Sequence, residues 1–224
     1  MSRLAPTRYS RRRSARRASA RTVLLVTTIA VMGVLALVLR AATGAAPASG
    51  RPAASTPRAE WRLGEVPSLY QTDPAWSQEP YAGGTIEKNG CGPTCLAMVY
   101  VALTGSTDMG PVEMAAFSER GGYVTDGMTA WALMSDGASQ LGLVSRELAA
   151  NESTVRAELE AGRPVICSVR PGDFTTTGHF IVLAGLAGDG SVVVRDPNSA
   201  ERSSHTWELT RVLGQCANLW SFSA

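Results

Sequence analysis

The sequence predicts an α+β fold built on a mainly antiparallel sheet. Helix-period segments come first, short β-branched and aromatic runs follow, and brief turns join those runs. The first helix is expected from "CGPTCLAMVYVALTG". It opens near Cys91, holds Pro93 in its first turn, where a missing amide hydrogen does no harm, and stops at Gly105. Two further helical stretches are "GPVEMAAFSER" and "GMTAWALMSDGASQLG", the second placing Met128, Trp131 and Met134 three apart on one buried face. Asn151 is suited to cap a fourth helix, "ESTVRAELEAG", which Gly162 ends. After that the period changes. "PVICSVR", "HFIVLAGL", "SVVVRD" and "NLWSFS" are separated by Gly, Pro, Asp and Asn, which is strand chemistry, and "AGDGS" suits a hairpin between the second and third.

These elements fall within residues 65–224, which read as one folded domain beginning near Val66, and the 224-residue chain has room for segments outside that core. Residues 41–64 are rich in Ala, Pro, Ser and Thr, lack apolar periodicity and read as a linker. Ahead of them, "TVLLVTTIAVMGVLALVL" runs for 18 residues from Thr22 to Leu39 without a charge and closes on Arg40. As a helix it reaches about 27 Å, close to the roughly 30 Å hydrocarbon core of a bilayer. Residues 1–21 hold eight arginines and no acid, which predicts a cytoplasmic basic tail, a signal anchor over residues 22–40 and a domain outside the membrane. A cleaved secretory signal shares the charge layout, and Ala46-Pro47-Ala48 offers small residues for cleavage, so a secreted domain is the alternative. From residue 41 onward the chain carries 12 Lys+Arg against 19 Asp+Glu, a net −7. An acidic body without a basic stripe argues against nucleic acid as a partner.

Only two histidines are present, His179 and His205, so imidazole chemistry has few candidates. Cys91 sits between Gly90 and Gly92 at a predicted helix start, where unpaired amide hydrogens and the helix dipole favour thiolate. Cys95 follows one turn later among Leu96, Met98 and Val99 and reads as a small core residue. His179 opens one strand, and Asp196 closes the next at the neighbouring sheet end if the two strands form a hairpin. Cys, His and Asp then converge as nucleophile, base and orienting acid.

The segments "GCGPTCLAMV", "GHFIVLAG" and "VVVRDP", in that order, resemble the papain-like cysteine peptidases related to the double-glycine peptidases that process bacteriocin leaders, and most of all their stand-alone relatives. The resemblance runs from about Val66 to Phe222. It implies a papain-like fold, with helices carrying the nucleophile packed on a mainly antiparallel sheet. It also implies Cys91 as nucleophile, His179 as general base and Asp196 as the acid that holds the imidazole. In "VPSLYQTDPAW", Gln71 falls on the oxyanion-hole glutamine, 20 positions before the nucleophile, so the intervening loop must fold back; Gln78 is the fallback.

Plainer readings stand beside this one. Four cysteines in an extracytoplasmic domain ordinarily suggest two disulfides. With Cys91 free there is room for one, Cys167 with Cys216. Zinc on Cys91, Cys95 and His179 is disfavoured by helical thiol spacing and the lack of a fourth ligand, and no metal or cofactor is expected. His205 reads as structural, Asp196 before Pro197 also suits a turn, and Asn198 is a substitute orienter. Trp76, Trp131 and Trp220 read as core or cleft-wall aromatics. The expected function is hydrolysis of peptide bonds in a peptide or protein substrate outside the membrane, through a Cys-His-Asp triad and an acyl-enzyme. A cell-wall peptide hydrolase, an acyltransferase or amidase of the same fold, and a non-catalytic peptide-binding module are the alternatives, because a fold hosts several chemistries.

Overall fold

The structure, a computed structural model, describes residues 54–224. The basic tail, the anchor expected over residues 22–40 and the linker as far as residue 53 lie outside the described residues. No helix among the described residues is long and apolar enough to cross a membrane.

The packed chain begins earlier than Val66. Residues 54–64, expected to be linker, are tied down by Trp61, which is buried and whose Nε1 donates to the Thr56 carbonyl at 2.9 Å. The Gly64 amide donates to the Ala102 carbonyl at 2.7 Å. A single tryptophan has enough apolar area to anchor a stretch whose composition otherwise reads as linker.

A small hairpin, β1 (Pro80–Tyr81) and β2 (Gly84–Thr85), precedes a single helical turn, α1 (Ile86–Asn89), and the central helix α2 (Cys91–Thr104). Gly105 ends α2 in the left-handed conformation, φ 68°, as expected of a glycine stop. Helix α2 is buried nearly all round, which is why its sequence shows no polar face. Helix α3 (Pro111–Arg120) starts at its proline, and Glu113 accepts from the Gly110 amide at 2.9 Å.

The third predicted helix does not form as one piece. Residues 124–140 instead make a hairpin, β3 (Val124–Thr125) and β4 (Met128–Thr129), a 3-10 turn at Trp131–Leu133 and a short α4 (Asp136–Gln140). The hairpin turns on Asp126 and Gly127, both at positive φ (51° and 73°), and Asp-Gly is a strong signal for that turn. The local turn chemistry overrides the helical spacing that follows it. Met134 is buried, while Met128 and Trp131 are 66% and 48% exposed, so the expected buried face is largely surface.

Strand β5 (Val144–Leu148) is followed by α5 (Glu152–Glu160), capped as expected by Asn151, whose side chain accepts from the Thr154 amide at 3.3 Å. Then come β6 (Val165–Val169), β7 (His179–Leu186), β8 (Val192–Arg195), α6 (Ala200–Ser203), β9 (Thr206–Trp207), α7 (Leu209–Leu213) and β10 (Cys216–Ser223). Six strands form one sheet in the order β5-β10-β6-β7-β8-β9, with every neighbouring pair antiparallel. On one face Leu96, Met98 and Val99 of α2 pack with Ile166, Phe180 and Trp220; on the other Val155 and Val212 pack with Cys167, Ile181 and Leu219. Strand β6 is therefore covered on both sides, and "VICSV" reads as a continuous apolar run rather than an alternation.

Candidate active site

Helix α2 delivers Cys91 to the surface of the core. The flanking glycines owe their identity to neighbouring protein. A Cβ at Gly92 would lie 2.5 Å from the Thr129 methyl carbon on β4, and one at Gly90 would lie 2.6 Å from the Ile86 carbonyl oxygen. The pattern thus lets the β3-β4 hairpin and α1 close onto the helix mouth. Thr129 is held there by the Tyr81 hydroxyl at 2.8 Å, which also bonds Ser118 at 2.9 Å. Cys91 stays half-buried. Cys95 is fully buried, and burial pushes its thiol well above the usual range.

His179 is the first residue of β7, and Asp196 directly follows β8. Because the two strands are antiparallel, the start of one and the end of the other share a sheet end. His179 Nε2 donates to Asp196 Oδ1 at 2.8 Å, with both side chains buried. Burial alone would lower the imidazole pKa. Hydrogen bonding to Asp196 and to Cys91, with the charges of both, overrides it and raises His179 from 6.5 to about 9. With Nε2 engaged by Asp196, the ring nitrogen left for the sulfur is Nδ1. For Asp196, burial acts upward, but the ring, Arg202 and a backbone amide outweigh it and hold the carboxyl below its usual value.

Two of those donors go beyond the sequence expectation. Arg202 Nε donates to Asp196 Oδ2 at 2.5 Å, and the Asn198 backbone amide donates to Oδ1 at 2.8 Å. Asn198, considered as a substitute orienter through its side chain, instead serves the acid through its main chain. Arg202 arrives on α6, whose N-cap Ser199 accepts from the Arg202 amide at 3.1 Å. The run "DPNSAER" carries that cap signal, so a helical turn beside Asp196 was there to be read.

Gln71 is buried. Its backbone amide donates to the Pro197 carbonyl at 2.7 Å, and its side-chain Nε2 donates to the Glu87 carbonyl at 2.6 Å. It thereby joins the acid's turn to the segment leading into Cys91. Its Oε1 is buried without a partner among the described residues, and Gln71 does not line the cleft described below. Gln78, the fallback, is exposed and spends its amide on the Glu87 carboxylate at 3.0 Å. His205 is also exposed, against the Glu201 carbonyl at 3.1 Å and the Trp207 ring.

A cleft of about 370 Å³ opens on Cys91 and His179, walled by Lys88, Asn89, Met128 and Trp131. Met128 and Trp131 reach it because the expected helix is replaced by the hairpin and 3-10 turn. Cys167 and Cys216, expected as the one disulfide, are both buried free thiols, and Cys216 donates to the Val212 carbonyl at 3.4 Å. Among the described residues no group of three or more His, Cys, Asp or Glu side chains is arranged to hold a metal ion.

Comparison with known proteins gives three results. A search of curated proteins finds no match. Among solved structures, the peptidase domain of Streptococcus ComA, described as a bi-functional ABC transporter involved in a quorum sensing pathway, is 19% identical, with 61% of this chain and 92% of that chain covered and a TM-score of 0.45. The family model "Peptidase_C39 like family" matches residues 64–222, and on that span the chain belongs to this family of papain-like cysteine peptidases.

Proposed function

We propose that this chain hydrolyses peptide bonds outside the cytoplasmic membrane through an acyl-enzyme on Cys91, with His179 as acid and base and Asp196 as its orienter. The observation that carries the reading is the buried His179–Asp196 bond of 2.8 Å beside the only cysteine that is not buried. An imidazole raised to about 9 carries a proton at neutral pH, and the proposed cycle uses Cys91 beside it as the nucleophile in its thiolate form. The thiolate attacks the scissile carbonyl carbon, and the carbonyl electron pair moves onto oxygen. The Cys91 amide at the N-terminus of α2 is the donor proposed for that oxyanion, worth about 2.7–4 kcal/mol where such donors have been removed elsewhere; Gln71, whose Nε2 is held by the Glu87 carbonyl outside the cleft, joins it only once its side chain turns toward the substrate. Collapse expels the amine, which takes the proton from His179. Water then loses a proton to His179, attacks the thioester carbon and releases the acid and Cys91.

Hydrolysis of a mixed peptide pool, followed by mass spectrometry, tests this. The wild-type chain cleaves, and Cys91→Ala and His179→Ala lose at least about 10³-fold in rate, as for covalent catalysis with its base removed. Cleavage that survives Cys91→Ala contradicts the proposal. The location rests on the eight arginines ahead of the 18-residue apolar segment. External protease digests the domain on intact cells if that reading holds; full protection of an active domain contradicts it.

A further inference from the structure

Trp131 forms a wall of the catalytic cleft and also of a second cavity, of about 270 Å³, which is lined further by Ser145 and Glu147 of β5 and Asn218 and Trp220 of β10. The residues floor one continuous path. Phe180 of β7 is in register with Ser168 of β6, Ser168 with Asn218 of β10, and Trp220 with Glu147 of β5. Phe180 and Ser168 line the catalytic cleft, and the other three line the second cavity. Along the path the chemistry changes. Lys88 stands at the catalytic end, while the far end has Glu147, exposed and without an ion pair among the described residues, beside the edge-to-face pair of Trp131 and Trp220 at 5.7 Å. Ser145 adds a buried hydroxyl with no hydrogen-bond partner among the described residues.

We infer that the substrate lies as an extended strand across β7, β6, β10 and β5, and that the cavity at Trp131, Trp220 and Glu147 binds a lysine or arginine side chain of the substrate. Three inter-strand steps of about 4.8 Å cover roughly 14 Å, which an extended peptide spans in about four residues. The selected residue therefore sits about four positions from the scissile bond. A cation there meets the exposed Trp131 indole, with Trp220 buried beneath it, and one carboxylate, and the net −7 from residue 41 onward favours its approach. This rests on the peptidase reading above, and it names the substrate class that reading leaves open.

The purified full chain is given a pool of decapeptides randomised at every position, and the cut products are sequenced by mass spectrometry. Lys and Arg are enriched about fivefold at one position about four residues from the cut bonds, the size of effect expected for an exposed ion pair with a cation–π contact. Glu147→Lys abolishes that enrichment or turns it toward Asp and Glu, while cleavage continues and remains dependent on Cys91. Cleavage that depends on Cys91 but shows no basic preference, or a preference that Glu147→Lys leaves unchanged, overturns the inference and leaves the peptidase reading intact. An absence of cleavage by the wild type counts against the peptidase reading, and binding then decides the groove. Cys91→Ala is titrated with an arginine-containing decapeptide and its Arg→Glu counterpart while tryptophan fluorescence is followed. A preference of about fivefold for the arginine peptide, lost in Glu147→Lys, supports the groove, and equal affinities overturn it.

Discussion

The carboxylate of Asp196 accepts from three donors at once: His179 Nε2, the Asn198 amide and Arg202 Nε. A carboxylate so held presents one oxygen to the imidazole in a fixed direction, which makes Arg202 a positioning residue acting through Asp196. Arg202→Met lowers kcat/KM by about tenfold with KM little changed, as for supporting groups one bond removed from a site. Arg202→Lys recovers part of it, and steady-state kinetics on the two variants checks this. Under the proposed mechanism the raised imidazole sets the alkaline limb of activity: below about 9 His179 would carry the proton that the leaving amine takes, so kcat/KM is expected to fall as pH rises through about 9. The same shift sets stability: a group raised from 6.5 to about 9 stabilises the fold fully below 6.5 and loses that contribution as pH rises through about 9. Asp196, held low, acts at the other end, and its contribution is lost as pH falls into the acid range. Thermal midpoints across pH decline at both ends. Cys91, His179 and Asp196 were legible as a set because each stands at an element boundary marked by Gly or Pro. Arg202 was not, because its importance arises only when a turn brings it back on an aspartate six residues earlier.

The hairpin of β3 and β4 seals the helix mouth through Thr129, and Gly92 is the position that tolerates it. Gly92→Ala puts a methyl where the nearest Thr129 atom is 2.5 Å away, so the hairpin must move. The cost is about 1–3 kcal/mol of stability, the usual range for overpacking, read as a lower denaturation midpoint. Because Met128, Thr129 and Trp131 share the cleft wall, the proposed peptide cleavage is expected to fall as well. A variant of unchanged stability would contradict this account of the glycine. Elements with caps were readable: α2 with its Gly105 stop and α5 with its Asn151 cap stand where residue chemistry puts them. From residue 127 to 142 the helical spacing of Met128, Trp131 and Met134 misleads, because the preceding Asp126-Gly127 pair, which that spacing does not include, fixes a hairpin turn. Strand β5 carries no clear strand signal in the sequence because it is an edge strand with only Val144 and Leu148 apolar, and one of its faces lines a cavity rather than a core.

For the whole molecule, the order of helices before strands carried the fold class, and the closing strand explains what order alone does not. Strand β10 inserts between β5 and β6, so a strand far from both in sequence becomes the interior neighbour of the edge strand β5. Sequence periodicity cannot supply such a pairing, since strand order depends on contacts between segments far apart in the chain. Trp61 likewise carries the packed region back into what composition marks as linker. Of the four cysteines, Cys95, Cys167 and Cys216 are buried and only Cys91 reaches the cleft. The decisive measurement is therefore the rate at which a thiol-reactive peptide mimic labels the full chain at neutral pH, with the labelled residue located by mass spectrometry. Under the proposed triad, labelling is confined to Cys91 and slows by at least about 100-fold in a folded His179→Ala variant, because that variant lacks the base the proposal assigns to Cys91. A label on another residue, or a Cys91 rate unchanged without His179, contradicts the triad.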